Sequence, residues 1–144
     1  MEVTIGKGAE LTKLSQAIRY QVFTVEQNIP SELDLDGLDK ESFHLVVTNK
    51  GEAIATARLT VKEDGMSILA RVAVTEEYRG LGVASKVVQA FMVYAQKIEV
   101  GSIEIHAHCY LRKFYEKFGF MFIKEVEVVG EHQLIAMHYK IARV

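Results

Sequence analysis

Cysteine is almost missing from this sequence, because Cys109 is the one cysteine among 144 residues. An intrachain disulfide is excluded, which is typical of proteins in a reducing compartment. The net charge is only -2, so the composition suggests neither a nucleic-acid partner nor an anionic membrane. No apolar run reaches the ~20 residues that a membrane span needs, and residues 1–7 lack the pattern of a signal peptide. We therefore expect a cytoplasmic protein.

The sequence also lacks a set of residues spaced as the ligands of a metal site. His106 and His108 alternate along a predicted strand and would share one face of it. No third and fourth ligand follow at the spacing of a metal site, so we predict none. Cys109 lacks the recognisable partners of an activated nucleophile, so we do not expect it to carry an acyl group.

The rest of the composition is that of a globular protein, with 49% apolar and 25% charged residues. The length favours a single domain over residues 1–144. Alternating residues and turn signals predict strands, and apolar steps of three and four predict helices. The strands are predicted at 2–5, 43–48, 53–61, 66–74, 102–107, 120–129 and 133–141, and the helices at 11–25, 83–98 and 110–117. The strand–helix–strand unit implies a right-handed parallel crossover, and the hairpins imply antiparallel pairs. We predict an α/β fold with one mixed sheet.

A short stretch with two glycines, residues 79–84, joins the apolar strand to the long helix. Such a turn at a helix start can present backbone N–H groups to a phosphate. A nucleoside-triphosphate loop would need a lysine after Gly82, and there is none. A dinucleotide loop would need a third glycine, and here five residues separate the strand from Gly80. Both of these ligand classes are therefore disfavoured.

A third phosphate-loop pattern, Arg/Gln-x-x-Gly-x-Gly/Ala, is met in register by Arg79, Gly82 and Ala84. The chain resembles the GNAT superfamily of N-acetyltransferases in this motif, in the strand before it and in residues 114–120 after it. Residues 22–27, followed by Pro30, the acidic residues and His44, resemble the ElaA/YjcF-like branch. That branch often carries a Pro-His pair before the last strand, where this chain has His132 without the proline.

The resemblance implies acetyl-CoA as co-substrate and a splayed GNAT sheet with helices on both faces. It implies that backbone N–H groups of the loop hold the pyrophosphate, and that the end of the strand before it pairs with the pantetheine arm. The loop residues are Arg79, Gly80, Leu81, Gly82, Val83, Ala84 and Ser85, and the strand residues are Val72, Ala73 and Val74. An N–H group aimed at the thioester carbonyl would act as an oxyanion donor.

The resemblance also singles out Tyr115, whose phenol would give a proton to the departing thiolate. The alternative is that Tyr115 is one more aromatic residue of a buried helix face. The base that deprotonates the amine could be Glu26 or His108. Histidine side chains titrate near neutral pH and are natural bases there. The alternative for Glu26 is a solvated carboxylate at a helix end, and the alternative for His108 is a structural role on its strand.

Residues 31–41 form an acidic segment that we predict as an exposed loop, with Glu32, Asp34, Asp36, Asp39 and Glu41 around Gly37. It is either a solvated face or a surface that attracts a cationic amine. Arg19, on the preceding helix, would pair with these carboxylates or face the acceptor.

Together these features predict an enzyme that transfers an acetyl group to a primary amine by direct attack in a ternary complex. The acceptor is a small molecule or a peptide that the sequence does not identify. Two alternatives remain on the same fold: a non-catalytic module that binds or senses CoA, and an interaction protein that has lost the ligand. A homodimer is an expectation from the family alone.

Overall fold

A computed structural model describes residues 1–141 of the chain. Its strands are β1 (Glu2–Gly6), β2 (Phe43–Asn49), β3 (Glu52–Val61), β4 (Met66–Val74), β5 (Ser102–His108), β6 (Met121–Val129) and β7 (His132–Lys140). Its α-helices are α1 (Ala9–Arg19), α2 (Ser31–Asp34), α3 (Val83–Lys97) and α4 (Arg112–Glu116). Short 3-10 turns lie at Asp39–Glu41, Glu63–Gly65, Glu76–Tyr78 and Cys109–Leu111. The element order agrees with the prediction, and most ends fall within one or two residues of it.

The seven strands form one sheet in the order β1-β2-β3-β4-β5-β7-β6. Only β4 and β5 pair in parallel, and α3 makes the crossover between them; the other pairs are antiparallel. The parallel ladder runs from Met66–Ser102 to Leu69–Ile105 and then stops, although both strands continue. The predicted mixed, mostly antiparallel sheet with a central crossover is confirmed.

Helices cover both faces of the sheet, as predicted. On one face, Ile18 and Val22 pack against Val46 and Ala73. On the other face, α3 contributes Val87, Val88 and Phe91 to the larger core. Within residues 1–141 no helix combines the length and the apolar character needed to cross a membrane.

The predicted first helix, residues 11–25, is an α-helix in its first part and a π-helix in its second. α1 ends at Arg19, and Tyr20–Glu26 continue as a π-helix, which fits more residues into each turn. The apolar steps of three and four in this helix predict one buried stripe, formed by Leu11, Leu14, Ile18, Val22 and Val25. Ile18 and Val22 are buried, but Leu14 and Val25 are exposed. The stripe prediction is wrong at these two positions, and at Val25 the wider turn moves the side chain off the helical period.

The acidic segment differs most from its prediction. Asp34 and Asp39 are each only 8% exposed, and Arg19 between them is fully buried. The expectation of an exposed loop is therefore wrong for these two aspartates. Of the two alternatives for Arg19, pairing with these carboxylates is the one that the structure shows. The sequence did not indicate the burial because the other partners of the aspartates, Arg58 and Arg71, come from strands β3 and β4.

We call these three arginines and the aspartates that they bind the Arg–Asp network: Arg19, Arg58, Arg71, Asp34, Asp36 and Asp39. Arg19 contacts Asp34 at 2.9 Å and Asp39 at 2.8 Å. Arg58 bridges Asp36 (2.8 Å) and Asp39 (3.1 Å). Arg71 bridges Asp34 (2.9 Å) and Asp36 (3.2 Å). Every charge is compensated, so the network ties the acidic segment to α1, β3 and β4.

Asp39 is the centre of the network. Burial alone would raise the pKa of its carboxyl, but hydrogen bonds from Arg19, Gln16 and Arg58 outweigh burial and hold the pKa far below its ordinary value. The backbone carbonyl of Asp39 also accepts a hydrogen bond from Nε2 of His44 at 2.8 Å.

Replacing Asp39 by asparagine should lower the free energy of unfolding by about 3 kcal/mol, because it leaves buried arginines without their counter-charge. Urea denaturation measures the change. Glu116→Gln is the matched control, since it breaks an exposed pair with Arg112 and should cost less than about 1 kcal/mol. Equal effects of the two substitutions would contradict the assigned role of the network.

Acid should weaken the wild-type protein more steeply than the Asp39→Asn variant. A carboxyl whose folded pKa is lowered contributes stability that is complete above its unfolded pKa of about 3.9 and is lost as the pH falls further. Unfolding curves between about pH 5 and pH 2 test this difference in slope.

Candidate active site

The glycine loop turns tightly between the end of β4 and the start of α3. Gly80 and Gly82 both adopt left-handed backbone conformations, with φ of 76° and 79°, and Leu81 between them is exposed. A Cβ added at either glycine would meet no protein atom within 4 Å. The glycines are therefore required by the backbone conformation and by open space in front of the loop, not by packing against the protein.

The start of α3 is suited to an anion. The helix begins at Val83, and no side chain caps its first turn. Its first N–H groups have no intrahelical partner and carry the positive end of the helix dipole. Left-handed and helical residues in succession form a concave nest of N–H groups that binds anions. Residues 80–85 together provide such a nest.

Strand β4 is bent shortly before this loop by a bulge. Arg71 and Val72 lie opposite a single residue of β3, Ala57, because Ala70 pairs with Arg58 and Ala73 pairs with Thr56. Arg71 takes a left-handed conformation with φ of 59°. A bulge of this kind bends its strand, and it lies just beyond the point where the ladder to β5 ends. The backbone of residues 72–74 therefore pairs with β3 but not with β5.

A cavity of about 470 Å³ lies where β4 and β5 part, a volume typical of small-molecule sites. Its apolar wall includes Phe23, Ile29 and Leu33, contributed by the π-helix and the segment after it. The charged residues on its surface are Asp34, Asp36, Arg58, Arg71 and Glu127. No local sequence pattern indicates Arg58, Arg71 or Glu127, because strand residues far apart in the chain meet only in the folded sheet.

Tyr115 lines this cavity and is also part of the core, with only 3% of its surface exposed. Its ring packs edge-on against Phe114 and Phe120. Burial raises the pKa of its phenol well above the ordinary value. The side chain therefore keeps its proton at neutral pH. The two interpretations of Tyr115, core aromatic and proton donor, are thus compatible in one position.

His108 lines the same cavity as the last residue of β5. Its Nδ1 atom is buried and has no hydrogen-bond partner among residues 1–141, and its ring packs edge-on against His132 with centroids 4.6 Å apart. Burial, and secondly the nearby charge of His132, lower the pKa of His108. The ring is therefore neutral at neutral pH, which is the form that accepts a proton.

Glu26 contacts the glycine loop. Its carboxylate binds Nη2 of Arg79 in the glycine loop, and Glu26 is not among the residues that line the cavity. The structure thus brings Tyr115 and His108 together and joins Glu26 to the loop instead.

His106, the other histidine of the predicted pair, lies between two carboxylates. Its Nε2 is 2.8 Å from Glu104 and its Nδ1 is 3.4 Å from Glu127. In the part of the chain that the structure covers, no three His, Cys, Asp or Glu residues converge as metal ligands would.

Comparison with known proteins identifies the family. Residues 11–141 match the acetyltransferase (GNAT) domain. The N-acetyltransferase YjcF of Bacillus subtilis is 31% identical over 127 residues, which cover 88% of this chain and 90% of YjcF. Protein ElaA of Escherichia coli is 31% identical over 119 residues, covering 76% of this chain and 74% of ElaA.

The fold agrees with this result. The crystal structure of Escherichia coli ElaA superposes with a TM-score of 0.85 at 25% identity, covering 96% of this chain and 99% of the other. An acyl-CoA N-acyltransferase from Pseudomonas aeruginosa superposes with a TM-score of 0.86 at 23% identity, covering 95% and 97%. With a splayed sheet, a glycine loop and a family match over most of its length, the chain belongs to the GNAT acetyltransferases.

Proposed function

We propose that the protein transfers the acetyl group of acetyl-CoA to a primary amine by direct attack in a ternary complex. The observation that carries the proposal is the arrangement of the glycine loop and the cavity. Gly80 of the open anion-binding loop follows the end of β4 after five residues, and β4 borders a cavity that is lined by the neutral His108 and the protonated Tyr115.

The pyrophosphate of the co-substrate would bind the backbone N–H groups of residues 80–85. In support, Gly80 and Gly82 leave the space before the loop free of side chains. The pantetheine arm would lie along residues 72–74, where β4 has left β5. Extended ligands bind a free strand edge through its backbone groups, so Val72, Ala73 and Val74 would act through their main chain.

The transfer needs two proton movements, and each has a candidate residue. His108 would take the proton that the amine loses as its nitrogen bonds to the acetyl carbon. Tyr115 would give its proton to the thiolate released when the carbon–sulfur bond breaks, and solvent would restore both groups. A neutral imidazole and a protonated phenol are the forms that these roles require.

Isothermal titration with acetyl-CoA tests the ligand class, and NAD is the control ligand. We expect micromolar binding of acetyl-CoA alone. Binding together with release of the free thiol in an amine panel would support an enzyme. Binding without thiol release from any amine would support a CoA-sensing module instead.

Gly82→Ala should weaken acetyl-CoA binding at least about tenfold, because its methyl group would occupy space that the pyrophosphate needs. Gly51→Ala is the matched control: Gly51 lies in the β2–β3 turn with φ of 82° and equally open surroundings. Both substitutions cost similar backbone strain, so titration compares the ligand site alone. Equal affinities would refute the assignment of the loop.

Tyr115→Phe should lower kcat about 100-fold, the usual effect of removing a general acid, and leave the Kd of acetyl-CoA within twofold. Tyr94→Phe, which removes a hydroxyl from a ring packed edge-on against Phe43, should leave kcat unchanged. If both variants turn over at the wild-type rate, Tyr115 is a core residue only.

The pH profile of kcat/KM should rise through a midpoint below 6.5, as the lowered pKa of His108 requires. His108→Gln should remove this limb, and His132→Gln should shift the midpoint upward because it removes a neighbouring positive charge. His138→Gln is the control on the adjacent strand. A limb that persists in the His108 variant would assign the base to another residue.

A further inference from the structure

One ion pair connects the glycine loop with the first helical segment of the chain. Glu26 ends the π-helix, and its carboxylate binds Nη2 of Arg79. Nε of Arg79 donates a second hydrogen bond to the backbone carbonyl of Val74 at 3.0 Å. One guanidinium therefore holds three places at once: the π-helix, the end of β4 and the start of the glycine loop.

The π-helix and the residues that follow it form part of the cavity wall, where the proposed acceptor would bind. Phe23 within it, and Ile29 and Leu33 just after it, line the cavity. The N–H group of Ile29 donates to the carbonyl of Phe23 at 2.9 Å, which joins the π-helix to the chain that follows. Movement at Glu26 would therefore move the wall of the cavity.

Within residues 1–141, two neighbouring side-chain oxygens contribute no hydrogen bond to the attachment of this end of the π-helix. Thr24 Oγ1 and Gln27 Oε1, which flank Glu26 in sequence, are buried without hydrogen-bond partners in the described chain. Buried groups of this kind are normally satisfied. The contact between Glu26 and Arg79 is a salt bridge from this end of the π-helix to the glycine loop, and the Glu26 side chain is 19% exposed.

We propose that Glu26 is a positioning residue: through Arg79 it couples the cavity wall to the glycine loop, so that acetyl-CoA binding orders the acceptor side. The inference rests on the proposed function and assigns a role other than general base to Glu26. By reciprocity, an acceptor would strengthen acetyl-CoA binding by the same factor.

The first test is a double-mutant cycle with Glu26→Gln, Arg79→Gln and the double variant, titrated with acetyl-CoA. Each single substitution should raise the Kd about three- to tenfold, the range that a partly exposed ion pair can carry. The double variant should bind no more weakly than the weaker single variant, because both act through one contact. Glu77→Gln, at an exposed residue near the loop, controls for the change in net charge.

The second test measures the coupling itself by hydrogen–deuterium exchange at saturating acetyl-CoA. In the wild-type protein, protection should rise both in residues 79–85 and in residues 20–29. In Glu26→Gln the loop should still become protected, but residues 20–29 should not. Thermal unfolding of each variant shows whether the fold is intact.

Three results would overturn the inference while leaving the proposed function in place. They are an unchanged Kd with a loss of the acidic limb of the pH profile, tighter binding by Glu26→Gln, and equal protection of residues 20–29 in both proteins. Wild-type protein that fails to bind acetyl-CoA would overturn the proposed function and this inference together.

Discussion

The site depends on a single interruption of the sheet, the end of the ladder between β4 and β5 after Leu69 and Ile105. Backbone groups in the middle of a sheet are normally satisfied by the neighbouring strand. Here the bulge at Arg71 bends β4, while β5 continues beside β7. The divergence opens a cavity within the sheet. It also places the backbone at the end of β4 beside the side chains at the end of β5.

The Arg–Asp network is what places a wall over this opening. Buried ion pairs add little net stability compared with apolar packing, but their partners fix a segment in one position. Asp34 and Asp36 are each held by two arginines, and Arg71 extends from the bulge itself. A segment with little regular structure thus receives a defined place beside the cavity. The ion pair of Glu26 with Arg79 joins the neighbouring π-helix to the glycine loop.

Local patterns made much of this molecule predictable. Alternation, turn residues and apolar periods act between near neighbours in the chain, so the strands, α3 and the glycine loop could be derived from the sequence. Burial was predicted wrongly where it depends on contacts with residues far away in the chain. The acidic segment was predicted as exposed because its cationic partners lie 15 to 37 residues away along the chain. Val25 was predicted as buried because a regular α-helical period was assumed through residue 25, where the chain forms a π-helix.

The sequence by itself determined the order of elements, the conformation of the loop at Gly80 and Gly82, and membership in the GNAT family. Each depends on residue types at fixed short spacings. Only the tertiary structure decided that β4 and β5 part, that His108 and Tyr115 face one cavity, and that Glu26 meets Arg79 across 53 residues of chain. Burial and charge pairing between distant residues are properties of the folded sheet, and no local pattern encodes them.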